Sequence, residues 1–196
     1  MPPPEEPHEP NTKGGGAPAI SLLPLDLDAH AALLQAVYRA APDYWALYGL
    51  SDAPANQAEH DLREAATTPG RTLMGIVRPV ATSSNGHDDQ HTRGAVEMVG
   101  MVDMRLHYPG DTIASLGMIV VAQPLRRQGI GRAALGYLEP WLAASAGMRT
   151  LRLGVEQFNP GALAFFQALG FAMTGQAARH QVGEKFVRLL YMEKAL

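Results

Sequence analysis

The chain has 196 residues, 46% of them hydrophobic and 18% charged, which suits one domain with a sizeable core and is short for two. Against 16 Lys and Arg stand 19 Asp and Glu, and this net charge of -3 argues against a general nucleic-acid binder, which needs a basic field to meet phosphates. Cysteine is absent, so disulfides, thiolate nucleophiles and Cys-ligated metals are excluded, and no apolar run reaches the roughly 20 residues that span a bilayer.

Residues 1–18 are rich in Pro, Glu and Gly and show neither the basic start nor the apolar stretch of a signal peptide. Such a segment buries almost nothing, so the expectation is a disordered tail over 1–18, one domain over 19–196 and a cytoplasmic location. Residues 20–25 read as a short strand. Asp28 is placed to cap a helix over 30–40, Pro42 interrupts it, and 43–50 continue as a short helical piece. A further helix is expected over 54–66 and a strand over 71–77. The polar stretch 81–94 reads as a long surface loop. In it His87 and His91 have the i,i+4 spacing of a metal pair, but no helix signal surrounds them, so a solvated loop is the better reading and no metal is assigned.

Residues 96–106 alternate at period two. Val96, Met98, Gly100, Val102, Met104 and Leu106 fall on one face, with Glu97, Asp103 and Arg105 on the other. The turn Tyr108-Pro109-Gly110-Asp111 then predicts a hairpin partner over 113–121. A helix follows over 129–146, ended by Gly147 and kinked or broken at Pro140. After a strand over 151–155, Asn159-Pro160 opens a helix that Gly170 stops. Strands over 171–174 and 187–193 finish the chain. The order is a mixed α/β domain, antiparallel strands first and then a strand–helix–strand–helix section.

The stretch from Met118 to Ala134 carries the chemistry. A buried strand runs into a polar, basic, Gly-containing turn that opens a helix. The first amides of a helix lack partners and its dipole is positive there; glycines permit close approach, and Arg126, Arg127 and Arg132 add charge. Together they suit a phosphate or pyrophosphate. A P-loop is excluded because no Lys-Ser or Lys-Thr follows. A dinucleotide fingerprint matches formally from Gly129 to Ala134, but seven residues separate strand from glycine and antiparallel strands precede the unit. The bland alternative is that Gly129 and Gly131 serve only helix–sheet packing.

Arg126-x-x-Gly129-x-Gly131, followed by Ala133, resembles the acetyl-CoA motif of the GNAT N-acetyltransferase superfamily. A second segment, Asn159-Pro160-Gly161-Ala162-Leu163-Ala164-Phe165-Phe166 through Gly170-Phe171, resembles that family's next strand and helix. The resemblance implies an α/β (α+β type) fold: a mixed, mostly antiparallel sheet, helices on both faces, and a V splayed between the fourth and fifth strands. It implies acetyl-CoA as co-substrate, with pantetheine along Met118, Ile119 and Val120. Pyrophosphate would lie on the amides from Gln128 through Gly129, Ile130 and Gly131 to Arg132, beside Ala133, with Arg126 or Arg127 reaching a phosphate. Asn159 and Phe166 would complete the cofactor side. Gly117 is a plausible bulge position on the fourth strand.

The resemblance further implies direct attack by an amine on the thioester carbonyl, with an N–H near Val120 stabilising the oxyanion. Phe166 stands where many members carry a Tyr general acid, so that role has no side chain; a thiol pKa of about 8.5 makes the thiolate a ready leaving group. The base is unassigned from strand 113–121, which holds no acid. Asp103, Glu97, Asp111 and His107 are the candidates, Asp103 first among them, with an Asp103–Arg105 ion pair as its structural alternative. Tyr44 and Tyr48 fall where the family builds its acceptor lid, with core packing as the alternative. The implied acceptor is a small-molecule or peptide amine, without nucleic acid or membrane, and a homodimer is one assembly the resemblance allows. The second reading, from another class, is an acyl-CoA-binding regulatory module without turnover.

Overall fold

The computed structural model describes residues 18–80, 95–182 and 185–196. Apart from Pro18, the expected tail lies outside the described residues, as does the expected 81–94 loop with His87 and His91. The described chain runs β1 (Ser21–Pro24), α1 (Leu27–Arg39), α2 (Pro42–Ala46), α3 (Gln57–Thr67), β2 (Arg71–Pro79), β3 (Val96–Leu106), β4 (Ile113–Val121), a 3-10 turn (Gln123–Leu125), α4 (Ile130–Ala144), β5 (Thr150–Glu156), α5 (Pro160–Gln167), β6 (Ala172–Val182) and β7 (Lys185–Ala195). The strands form one sheet in the order β1-β2-β3-β4-β5-β7-β6. Every pairing is antiparallel except β4 with β5. No helix of the described residues is long and apolar enough to cross a membrane.

Both faces of the sheet are covered. On one, Ile130, Leu135, Leu138 and Leu142 of α4 and Phe166 of α5 pack on Val102, Met104, Leu116 and Leu153. On the other, Leu34, Val37 and Tyr38 of α1, Trp45 of α2 and Leu62 of α3 pack on Leu73, Met101 and Val120. A fully buried Leu or Met side chain contributes about 1.5–3 kcal/mol relative to exposure, so these two layers hold the sheet from both sides.

Two bulges set the register of the central strands. Ile76 pairs with Gly100 and Val77 with Met98, so Val99 is an extra residue in β3. It inverts the alternation: Val99 joins Val102 and Met104 in the α4 layer, while Met98 packs with Met101 in the α1 layer. The single face expected for Met98, Val102 and Met104 is therefore split. In β4, Asp103 pairs with Met118 and Met104 with Leu116, so Gly117 is skipped, as its position suggested.

The parallel pairing of β4 with β5 covers only Ile113–Leu116 against Thr150–Leu153. Beyond Leu116 the strands no longer pair, and the sheet opens into a V between the fourth and fifth strands.

Several boundaries differ from expectation for local reasons. Helix α1 begins at Leu27, and Asp26 caps it, accepting from Ala29 N–H at 2.8 Å; Asp28 sits in the first turn instead. Helix α4 runs unbroken through Pro140. Pro140 and Gly136, whose carbonyl loses its helical partner, are both exposed, so water can take that bond. Strand β6 extends to Val182 because it is an edge paired only with β7, exposed along most of its length, and needs no apolar alternation.

Candidate active site

The turn after β4 is held in place by its own bonds. Gln123 N–H donates to Ala40 O at 2.7 Å, tying the turn to the end of α1. Arg126 Nε donates to Val121 O at 2.8 Å, and its Nη1 pairs with Asp43 at the start of α2. Arg126 therefore links the turn to α2, whereas Arg127 is exposed and has φ +64°. Gly129 caps α4 with φ +80°, a conformation suited to glycine. The helical ladder begins where Ala133 N–H donates to Gly129 O at 2.9 Å. That bond occupies Ala133, and the amides of Ile130, Gly131 and Arg132 precede it at the positive end of the helix.

Beside this terminus lies a cavity of about 380 Å³ lined by Ile119, Val121, Gly131, Arg132, Phe165 and Phe166, with Arg126 and Arg127 at its edge. The cavity depends on glycine: a Cβ on Gly131 would meet Phe165 Cζ at 3.3 Å and Ile119 Cδ1 at 3.9 Å. Free helical amides, arginines at the rim and an apolar channel toward the gap suit a ligand with a phosphate end and a thin apolar arm. Coenzyme A has that shape, so the residues fit it. Gln128 and Ala133 are not among the lining residues; Gln128 reaches back toward Pro124 O.

A second cavity of about 100 Å³ occupies the mouth of the V. Ile119, Ala162 and Phe166 line both cavities, so the two meet there. Phe166 is 7% exposed and stacks edge-on with Phe165 and Phe171. Its ring is a wall between the cavities and carries no hydroxyl. Asn159 lines the small cavity while its Oδ1 accepts from Ala162 N–H at 3.1 Å, so capping and lining coexist.

The backbone of β4 corrects one expectation. Ala122 N–H donates to Val99 O, and bonded and non-bonded pairs alternate along an antiparallel ladder. By that alternation the pairs Met101–Val120 and Asp103–Met118 are the bonded ones. The amides of Val120 and Met118 therefore face β3, and those of Ile119 and Val121 face the gap. Val120 lines neither cavity and is buried in the α1 layer, whereas Met118 still lines the small one. Sequence does not single out Val121, because period two fixes side-chain faces and says nothing of which edge an amide uses.

Three of the expected acid–base candidates on β3 and its hairpin, Asp103, Glu97 and His107, are engaged elsewhere. Asp103 is held by Arg71, not by Arg105, which donates to Pro69 O. Glu97 pairs with Arg78. His107 Nδ1 lies 2.6 Å from Asp111 O within the hairpin turn.

Across the gap, Tyr44 and Tyr48 stack edge-on with centroids 5.4 Å apart. Helix α2 ends at Ala46, but Leu47, Tyr48 and Gly49 continue it with i to i+3 bonds, which keeps both rings on one side. Tyr44 lines the small cavity, and Tyr48 donates its hydroxyl hydrogen bond to Glu156 at the end of β5. Burial pushes the Tyr44 phenol up to about 12, and burial also raises Tyr48. Glu156, the carboxylate at the small cavity, is a side chain that sequence reading does not place beside Tyr44 and Tyr48. Its only signal is an acid at the end of a strand, and its partner is 108 residues away.

An α/β sheet split between a parallel fourth and fifth strand, with a glycine-capped helix at the split, defines a GNAT-type domain. Residues 85–171 match the family model described as Acetyltransferase (GNAT) family. An acetyltransferase from Thermus thermophilus is 27% identical, with a TM-score of 0.66 over 91% of this chain and 97% of that one. A probable GNAT acetyltransferase from Chromobacterium violaceum ATCC 12472 is 18% identical, with a TM-score of 0.70 over 98% of this chain and 96% of that one. Arabidopsis thaliana NAA60, solved with a bisubstrate analogue, is 12% identical, with a TM-score of 0.61 over 91% of this chain and 99% of that one. At those last two identities the likeness is one of fold. A comparison with curated proteins finds no match. Over residues 85–171 the chain matches the GNAT acetyltransferase family model, and its fold is that of solved GNAT acetyltransferases.

Proposed function

We propose that the protein transfers an acetyl group from acetyl-CoA to a primary amine by direct attack in a ternary complex. The observation that carries this reading is the shared lining at Ile119, Ala162 and Phe166, where the large cavity beside the α4 terminus adjoins the small cavity at the mouth of the V. Acetyl-CoA brings the acyl group already activated as a thioester.

The chain's own groups divide the remaining work. The amides of Ile130, Gly131 and Arg132 hold the pyrophosphate, with Arg127 and Arg132 adding positive charge. The backbone of Ile119 and Val121 pairs with the pantetheine arm as a strand would. The Ile119 N–H, facing the gap where the cavities meet, is the donor for charge developing on the carbonyl oxygen; one such donor is typically worth about 2.7–4 kcal/mol. Phe166 excludes water from the thioester and donates no proton, so the thiolate leaves as such and is protonated by solvent, which also takes up the proton that the attacking nitrogen loses. General acid help is worth about 10²–10⁴-fold, so its absence lowers the rate without abolishing it.

Incubation with acetyl-CoA and a panel of primary amines, with thiol release followed, tests the reading. Amine-dependent release is expected. Tight CoA binding without release for any amine would favour the acyl-CoA-binding module, for which Phe166 is the motivating residue.

A further inference from the structure

Among the residues that line the small cavity, Glu156 is the one with a carboxylate side chain, and no Lys, Arg or His lines it. Its carboxylate accepts from Tyr48, and among the described residues no Lys, Arg or His forms an ion pair with it. The surroundings add negative field. The Asp103 carboxylate lies behind Gly117, where a Cβ would stand 3.4 Å from its Oδ2. Its counter-ion Arg71 is shared with Glu64. The fields of Glu156, Asp61 and Asp103 all act on the Tyr44 phenol and oppose its ionisation. On the other side of the junction the polarity reverses, with Arg127, Arg132 and the start of α4 facing the large cavity.

No cationic side chain lines the small cavity to answer a second anion. Helix α5 opens beside Glu156, but Pro160 has no N–H, and the Ala162 N–H is taken by Asn159. The tyrosines can hydrogen-bond but carry no positive charge.

We infer that the acceptor is an amine whose ammonium is its sole nearby charge, seated on Glu156 between Tyr44 and Met118, and that the same amine bearing a carboxylate on the adjacent carbon is refused. This rests on the proposed acyl transfer to an amine and narrows it to a substrate class. Free α-amino acids fall outside that class; their decarboxylated counterparts fall inside it.

The test uses the full chain saturated with CoA and calorimetric titration with matched pairs: phenethylamine and phenylalanine, tyramine and tyrosine, histamine and histidine, agmatine and arginine. In at least one pair the amine should bind at least tenfold more tightly than its amino acid. Glu156→Gln should weaken that amine at least tenfold while leaving CoA affinity unchanged. Equal binding within every pair overturns the inference, as does binding of no amine, or a Glu156→Gln protein that binds CoA and amine like wild type. The wild-type comparison stands even if the variant fails to fold. Because binding is read without turnover, failure here is separate from failure of the thiol-release assay.

Discussion

Arg71 grips Asp103 at two points, Nε to Oδ1 at 3.1 Å and Nη2 to Oδ2 at 2.7 Å. Its Nη1 reaches Glu64 at 2.6 Å. The Arg71 and Asp103 side chains are 16% and 12% exposed, so the fork is largely shielded from water. It joins β2 to β3 below α3, and it engages the acid that β3 offers nearest to the gap. The Arg71 side chain thereby assigns Asp103 to structure.

Asp103→Asn is therefore expected to cost stability and spare chemistry. Hydrogen bonds to charged groups are worth about 1.5–3 kcal/mol, and each kcal/mol shifts the midpoint of a domain this size by about 2–4 °C. Thermal unfolding should show a drop of several degrees, while thiol release per folded molecule stays within about threefold of wild type. A large loss of rate at an unchanged midpoint would return Asp103 to the set of catalytic acids.

Tyr38, Tyr44 and Tyr48 predict an alkaline limb. Unfolded phenols titrate near 10, whereas Tyr44 is pushed up to about 12 by burial. Tyr38 and Tyr48 are also raised, first by burial and then by neighbouring negative groups and the other phenols. Where the unfolded chain releases these protons the folded chain keeps them. The stability they contribute is thus complete below about pH 10 and is lost as pH rises from there through the folded values. Phenolate absorbance near pH 11 should show at least three of the six tyrosines still un-ionised in the folded protein. Ionisation of all six without unfolding would contradict the buried placement.

Phe166 separates two effects. Phe166→Tyr adds a hydroxyl beside the shared lining of the cavities and should change thiol release less than about tenfold, short of the roughly 10²–10⁴-fold of a positioned general acid. Phe166→Ala removes a buried ring that stacks on Phe165 and Phe171, and should cost about 3–5 kcal/mol. Denaturant unfolding and thiol release on the same samples read both. A stable, active Phe166→Ala protein would mean that the ring walls neither cavity.

The parts legible in the sequence are those whose cause is local. The edges of β3 and β4 follow from an apolar run, a turn and a bulge glycine close together in the chain. The cap at Asn159 and the stop at Gly170 follow from residue types with one conformational use. What is not legible depends on distant partners. Arg71 is 32 residues from Asp103, so nothing near Asp103 points past Arg105. Tyr48 and Glu156 meet only because the V brings α2 over the end of β5. The extra residue at Val99 has no turn chemistry to mark it, and it exchanges the faces of every residue beyond it.

The most direct measurement is thiol release by wild type and Gly131→Leu across a range of acetyl-CoA concentrations with one accepted amine. Leucine at this position places its Cβ against Phe165 and the rest of its side chain in the large cavity. Wild type is expected to show amine-dependent release. The variant, at an unchanged unfolding midpoint, is expected to need at least a tenfold higher half-saturating acetyl-CoA concentration, about 1.4 kcal/mol of binding. A folded Gly131→Leu protein that saturates at the wild-type concentration would contradict this assignment, because the cavity beside the α4 terminus would then not be where acetyl-CoA binds.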